Sequence, residues 1–447
     1  MQKTENTFLE GRIFPPLVKF AIPLLLSILL QALYGAVDLI IVGKFGSTSS
    51  VSAVSNGSQI MHAVTSAIIG LTVGVTVLIG RYVGSKDDER AAATVGAMVR
   101  VFSVIAIILT VLLTALSEQI ALVMRVPEEA MEKTVVYLRI CSAGTVFIVA
   151  FNAISGLFRG LGNSKSPLLF ITVACGINVV LDLVLVGVFK MDAAGAAIAT
   201  VFSQAGSVAF SLWKIKKDGL PFKVTKKHYA KTGGYQKKIL KTGTPLAAQE
   251  LLISISFLII MSIINNIGLV ASASIGIAQK LFLFLAIVPI SFMSALSAFV
   301  AQNIGAGQEK RAIKSVGIAM GVSLVFGLCM AVLTYFRGDM LAAIFENNSE
   351  VIAATHLYLK GVSLEYLMLP VIFCFLGYFN GIGQTTFVFL EGFVSSFIFR
   401  IPVSYYISRQ PWANLFHIGL AVPISAASSL IMCLTYFFMV RKKRLRL

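Results

Sequence analysis

The 447-residue chain is 57% hydrophobic and only 13% charged, about half the charged share of an ordinary soluble protein, which excludes a water-soluble globular fold. Lys and Arg outnumber Asp and Glu by 37 to 20, but the charge lies between long apolar runs, so a nucleic-acid-binding protein is excluded as well. Each run is near the roughly 20 residues that cross a bilayer as a helix.

The N-terminus is polar through Arg12 and carries no cleavable signal pattern; the first apolar run is expected to act as its own membrane signal. Six spans follow in the first half, at 17–43, 52–80, 92–115, 135–158, 166–188 and 193–213. Six more occupy 244–265, 273–301, 313–336, 352–378, 385–408 and 415–440. The fold class expected is an all-α polytopic membrane protein of twelve transmembrane helices. Its domains are an N-terminal lobe (1–221), a basic connector (222–242) and a C-terminal lobe with a basic tail (243–447).

Ten basic residues lie between Lys214 and Lys241 and five more in the tail from Arg441 to Arg446. The positive-inside rule then places both termini in the cytoplasm of a multi-pass protein of the cytoplasmic membrane. The tail is suited to anionic headgroups of the lipid bilayer. All five cysteines fall within apolar spans without a C-x-x-C pair, so they are expected to be small buried side chains.

The two halves repeat. Gly156-Leu-Phe-Arg-Gly-Leu-Gly162 is answered by Gly377-Tyr-Phe-Asn-Gly-Ile-Gly383, 221 residues on. At the same offset Gly84, Arg90, Ala91, Val95 and Gly96 recur as Gly305, Arg311, Ala312, Val316 and Gly317. An even number of spans per copy makes the repeats parallel, and such duplication points to a transporter whose halves move against each other. The glycine frame lacks a preceding strand, so it is expected to serve a tight turn and close helix packing, not phosphate binding. No P-loop, H-E-x-x-H, G-x-S-x-G or Rossmann fingerprint occurs, so no enzyme and no cofactor is expected.

Ionisable groups within spans are costly and are candidates for function. Asp38 lies six residues before Lys44, Asp182 eight before Lys190, and Thr200 eight after Asp192, placing all three about 9–12 Å below the outer surface at 1.5 Å per residue. Asn178 shares a helix face with Asp182, and Gln31 and Tyr34 share one with Asp38. Asn152 and Ser155 are expected to line the same interior from the fourth span. This hard-oxygen set suits Na⁺ or H⁺. Two nearby carboxylates at low dielectric favour holding one proton between them. Pro23, inside the first span, removes a backbone donor and marks a hinge.

In the second half Asp38 and Asp182 have apolar counterparts, and the charged residues are Glu250, Lys280, Glu365, Glu391 and Arg400. Both signs are present, so ion pairing is expected among them. Glu250, Lys280 and Glu365 remain second-lobe candidates for a site. His62 is expected to be a packing or pore-facing residue.

Phe20-Ala-Ile-Pro23 with Leu33-Tyr34-Gly-Ala-Val-Asp38, Asn178 with Asp182, Gly195-Ala-Ala-Ile-Ala-Thr200 and Gln302-Asn-Ile-Gly-Ala-Gly307 together resemble the multidrug and toxic compound extrusion (MATE) family, over nearly all of 10–440. The resemblance implies a V-shaped pair of six-helix lobes working by alternating access. It also implies export of organic, often cationic compounds in exchange for Na⁺ or H⁺. The family's first-lobe cation site maps onto Asp38, Asn178, Asp182 and Thr200, with a surrounding network at Gln31, Tyr34 and Asn152. Ser155 stands where related sequences can carry Asn. Small organic substrates are the partners expected, with a monomer as the working unit. A flippase for lipid-linked cell-wall or polysaccharide precursors is the alternative, which would want a basic cavity around Lys280 and Arg400.

Overall fold

The computed structural model describes residues 8–230 and 233–444, and every regular element among them is helical. The first half comprises α1 (Phe14–Phe45), α2 (Thr48–Gly84), α3 (Asp88–Ala115), α4 (Ser117–Val123), α5 (Glu128–Ala143), α6 (Thr145–Gly160), α7 (Lys165–Asp182) and α8 (Asp192–Asp218). The short α9 (Lys226–Ala230) precedes α10 (Tyr235–Asn265), α11 (Leu269–Gly305), α12 (Glu309–Ala342), α13 (Ser349–Val362), α14 (Glu365–Gly381), α15 (Thr385–Phe393), α16 (Ile401–Ser408), α17 (Leu415–Gly419) and α18 (Ala421–Arg444). Ten of these segments are long and apolar enough to cross a membrane singly, and two bent pairs bring the number to twelve.

The bent pairs are the fourth and tenth spans, which the apolar pattern drew as single helices. Helices α5 and α6 meet at 49°, and α13 and α14 at 52°. At the first break a Cβ on Gly144 would stand 2.4 Å from Val201 on α8. Only a residue without a side chain lets α8 approach the bend that closely. The fifth and eleventh spans share a second irregularity. Helix α7 runs on into a π-helical turn at Leu183–Val188, and α15 into one at Val394–Arg400. Such turns widen the backbone ladder and are frequent at functional sites.

The repeated glycine frame is explained by packing. A Cβ on Gly160 would meet the Thr76 carbonyl on α2 at 2.8 Å, and one on Gly377 the Met293 carbonyl on α11 at 2.6 Å. Thr76 Oγ1 donates to the Gly156 carbonyl across that contact (2.9 Å). Gly162 and Gly383 close the frame at φ +78° and +75°, the left-handed region where glycine carries no steric penalty. In a bilayer, where apolar burial does not draw helices together, close backbone approach of this kind supplies the association energy.

The chain forms two compact units whose edges do not follow chain order. One is Ile22–Ala247; the other joins 1–21 to Ala248–Leu447. The sequence places 1–21 with the first lobe and 243–247 with the second, the reverse of what the packing shows. Within the second unit, Phe8 is buried between Phe20 and Phe299, while Arg311 donates to the carbonyls of Phe8, Glu10 and Gly11 at 2.7–2.9 Å. Within the first, α9 packs on α3, where a Cβ on Gly96 would lie 2.2 Å from the His228 carbonyl. His228 Nε2 meets Glu89 at 3.0 Å and Nδ1 accepts from the Thr225 N–H at 2.9 Å. The sequence-repeat residues Gly96 and Arg311 thus each anchor the strand of chain that leads into α10 or α1. The tail residues beyond Arg444 lie outside the described residues.

Candidate functional site

The first unit gathers its membrane carboxylates into one place. Asp38 on α1 and Asp182 at the end of α7 are 3% and 0% exposed, and Asn178, one turn before Asp182, is fully buried. Asp38 and Asp182 lie near enough to interact as a pair, with Asn178 and Thr200 beside Asp38. Thr200 Oγ1, from α8, stands 3.4 Å from Asp38 Oδ2, a long contact. Asp38 Oδ1, both oxygens of Asp182 and both amide atoms of Asn178 are buried without a hydrogen-bond partner. Among the described residues no Lys, Arg or His pairs with either carboxylate.

Local sequence explains the placement. Asn178 and Asp182 share a face by their i, i+4 spacing, and Asp182 is the last α-helical residue before the π turn. Above the pair, the turn between the fifth and sixth spans is pinned by Lys133. Its ammonium reaches Ser47 Oγ (2.8 Å), Ser50 Oγ (2.9 Å) and Asp192 Oδ2 (3.1 Å), tying α5, α2 and α8 together. Lys190 and Asp192 take positive φ in this turn.

Tyr34 meets Ser203 on α8, Oη to Oγ at 2.7 Å, and feels the charge of Asp38 and Asp182. Tyr137 on α5 meets Ser58 on α2 at 3.0 Å and lies within electrostatic reach of Asp38 and Tyr34. Its ring fills the space over Gly57, where a Cβ would stand 2.3 Å away. Sequence reasoning missed Ser203, Tyr137 and Ser58, because hydroxyls in apolar helices are common and carry no spacing signal.

Other candidates fall elsewhere. Gln31 is exposed and makes no hydrogen bond to the pair. Asn152 is buried but its amide is satisfied by the Ile148 carbonyl on its own helix (2.8 Å), while the buried Ser155 hydroxyl has no partner. His62 is exposed. The Pro23 carbonyl accepts from Ser27 Oγ at 2.8 Å, and α1 runs through it without a break.

In the second unit the charges divide differently. Buried Glu365 and Tyr358 lie within electrostatic reach of Arg400, whose guanidinium stacks 5.1 Å over the Phe257 ring while its buried Nε has no hydrogen-bond partner among the described residues. Glu250 is half-buried and Lys280 exposed, and neither forms an ion pair among the described residues. Glu391, 3% exposed, is bonded by Ser429 and, among the described residues, by no basic side chain. The charge pairing expected of this half thus goes no further than electrostatic proximity of Arg400 to Glu365, and among the described residues no basic group pairs with Glu391.

Two carboxylates at low dielectric without a counter-cation are strongly unfavourable as a pair of free anions. A proton or a monovalent hard cation offsets that charge, and the unpartnered oxygens offer hard-donor ligation. Among the described residues no group of three His, Cys, Asp or Glu side chains could hold a metal, so a soft or transition-metal centre has no donor set here.

The MatE family model matches the chain twice, at residues 23–184 and 245–406. The chain is 28% identical to the probable multidrug resistance protein YpnP of Bacillus subtilis over 98% of each chain. It is 24% identical to the multidrug export protein MepA of Staphylococcus haemolyticus over 84% of this chain and 83% of that one. Among solved structures, an outward-facing multidrug resistance MATE family transporter of the MOP superfamily superposes with a TM-score of 0.92 at 19% identity, covering 99% and 98% of the two chains. A MOP superfamily transporter from Pyrococcus furiosus gives 0.89 at 19% identity over 98% and 97%.

Proposed function

The chain belongs to the MatE family of membrane transporters, and from that premise we propose that it is a cation-coupled antiporter exporting organic, amphipathic and cationic compounds across the cytoplasmic membrane. The observation that carries this reading is the buried, uncompensated pair Asp38 and Asp182 with its unpartnered oxygens. Entry of H⁺ or Na⁺ offsets the pair's charge, and Asn178 and Thr200 supply the neutral oxygens around it. Relatives named for multidrug resistance or export supply the substrate class.

In this reading the working unit is a monomer with both termini cytoplasmic, working by alternating access. Binding at Asp38 is transmitted along α1 to Pro23, where the helix lacks one backbone donor and bends at lowest cost. The chain division next to Pro23 gives that bend a place to act. The flippase alternative is not favoured, because the relatives are named for multidrug resistance or export.

The test is transport of ethidium by reconstituted protein, with Na⁺ and pH gradients imposed separately. One gradient is expected to drive accumulation, and Asp38→Asn and Asp182→Asn to reduce it to the level of protein-free vesicles while the proteins elute as folded species on size exclusion. Full gradient-driven transport by both variants would refute the assignment.

A further inference from the structure

We propose that Glu391, held by Ser429, is a second proton-binding site in the second lobe, lying in the half of the membrane opposite to that of Asp38 and Asp182. The inference rests on the proton-coupled form of the reading above and extends it to a residue outside that site.

The depth follows from two helices independently. Tyr436 Oη on α18 donates to Gln384 Oε1 at the start of α15, 3.0 Å. Glu391 is seven residues past Gln384, and Ser429 seven before Tyr436, so both lie about 10 Å further into the membrane at 1.5 Å per residue. Their meeting as a hydrogen-bonded pair agrees with that common level. The α14–α15 turn is at the end the charge bias makes cytoplasmic, whereas Asp38 lies about 9 Å from the opposite end.

Glu391 is 3% exposed, and among the described residues no basic side chain forms an ion pair with it. Cys433, one turn beyond Ser429, is the titratable group facing it from α18; neutral Gln249 of α10 packs against the adjacent Gly392. Helix α14 carries Cys374 and Tyr378, neither of them basic, and Glu365, which feels the charge of Arg400. Arg400 itself is nine residues further along the same span. Arg441 is twelve residues from Ser429, about 18 Å away. A buried carboxylate so placed persists by holding a proton. No cation site competes, because a lone carboxylate and one hydroxyl fall short of the ligand number a metal ion takes. At the repeat offset the first half has Phe170 and Val208, both buried and apolar, so the carboxyl group is a feature of the second copy alone. It binds one proton as –COOH and returns it as –COO⁻ plus H⁺ when the lobe opens to water.

The experiment pairs transport with infrared difference spectroscopy on the full-length protein. Glu391→Gln keeps a hydrogen-bond partner for Ser429 but cannot titrate. With one proton fewer per cycle, ethidium accumulation at a pH difference of one unit is expected to fall roughly tenfold, the factor one pH unit contributes per proton. Accumulation equal to wild type would overturn the proposal. If the wild type shows no pH-driven transport, the antiport reading fails in its proton form, and the infrared arm decides Glu391 by itself. A protonated-carboxyl band at neutral pH that is lost in Glu391→Gln and displaced in Ser429→Ala supports the site; identical spectra in all three proteins refute it.

Discussion

The two lobes share a frame and differ in how they hold charge. In the first, Asp38 and Asp182 come from different helices to one buried level and find no base. In the second, Glu365 lies within reach of the positive charge of Arg400, while Glu391 has the Ser429 hydroxyl. Packing contacts recur almost residue for residue, from Gly156 against α2 to Gly377 against α11. Duplication therefore preserved the parts that set helix separation, and divergence fell on polar side chains. A scaffold contact fails if either partner changes, whereas a lone carboxylate can appear in one copy without disturbing the other.

That contrast can be broken most severely at Arg400. Arg400→Met leaves Glu365 buried without its positive neighbour, and loss of one partner of a buried pair costs about 3–5 kcal/mol; as Arg400 is only half-buried, the lower end is expected. A large drop in melting temperature in detergent is the readout. The double variant with Glu365→Met should recover much of the loss, and a double variant no better than the single would show that Arg400 acts through Phe257 instead.

The shared frame is tested by Gly377→Ala against Gly156→Ala. An added methyl at 377 meets a carbonyl at 2.6 Å, whereas at 156 the nearest atom is a side-chain carbon at 3.0 Å. Overpacking costs about 1–3 kcal/mol, and the second-lobe variant should lie nearer the upper end. Equal melting temperatures would mean that both helix pairs relax alike.

A smaller effect is expected at Lys133, which ties α5 to the starts of α2 and α8 in the first lobe. Its side chain is 34% exposed, so Lys133→Ala should cost about 0.2–1 kcal/mol. That loss should shrink in high salt if the Asp192 contact dominates, and persist if the two serine hydroxyls do. The smallest change is Lys86→Gly. Lys86 sits at φ +56°, where the second lobe has Gly307 at φ +71°. Relief of the left-handed penalty, about 1–2 kcal/mol, is opposed by the greater freedom of glycine in the unfolded chain. A rise of a few tenths of a kcal/mol, seen as a slight increase in melting temperature, is expected.

Much of the first-lobe site was legible because an acidic residue in an apolar span is conspicuous and its depth can be counted from the nearest interfacial Lys. The i, i+4 relation of Asn178 to Asp182 was legible for the same helical reason. Tyr137 and Ser58 were not, because their approach to Asp38 depends on how α2 and α5 pack over Gly57. Gln31 shares a helical face with Asp38 yet is exposed, since a face spans a wide angle and neighbouring helices decide which part they cover. The bends at Gly144 and near Ser363 were invisible to hydropathy, which averages over a span and does not register a change of direction.

By itself the sequence determined the class of the protein, its twelve spans in two copies and the identity of its membrane carboxylates. These follow from the cost of unpaired backbone and charge in hydrocarbon, which each segment meets within its own length. Tertiary structure alone decided which carboxylates face each other, which lies near an arginine and which is bonded by a hydroxyl. It also decided that the starts of α1 and α10 pack in units their chain neighbours leave. Those outcomes depend on close approach between helices distant in the chain, set by glycines and small side chains whose partners no local pattern names.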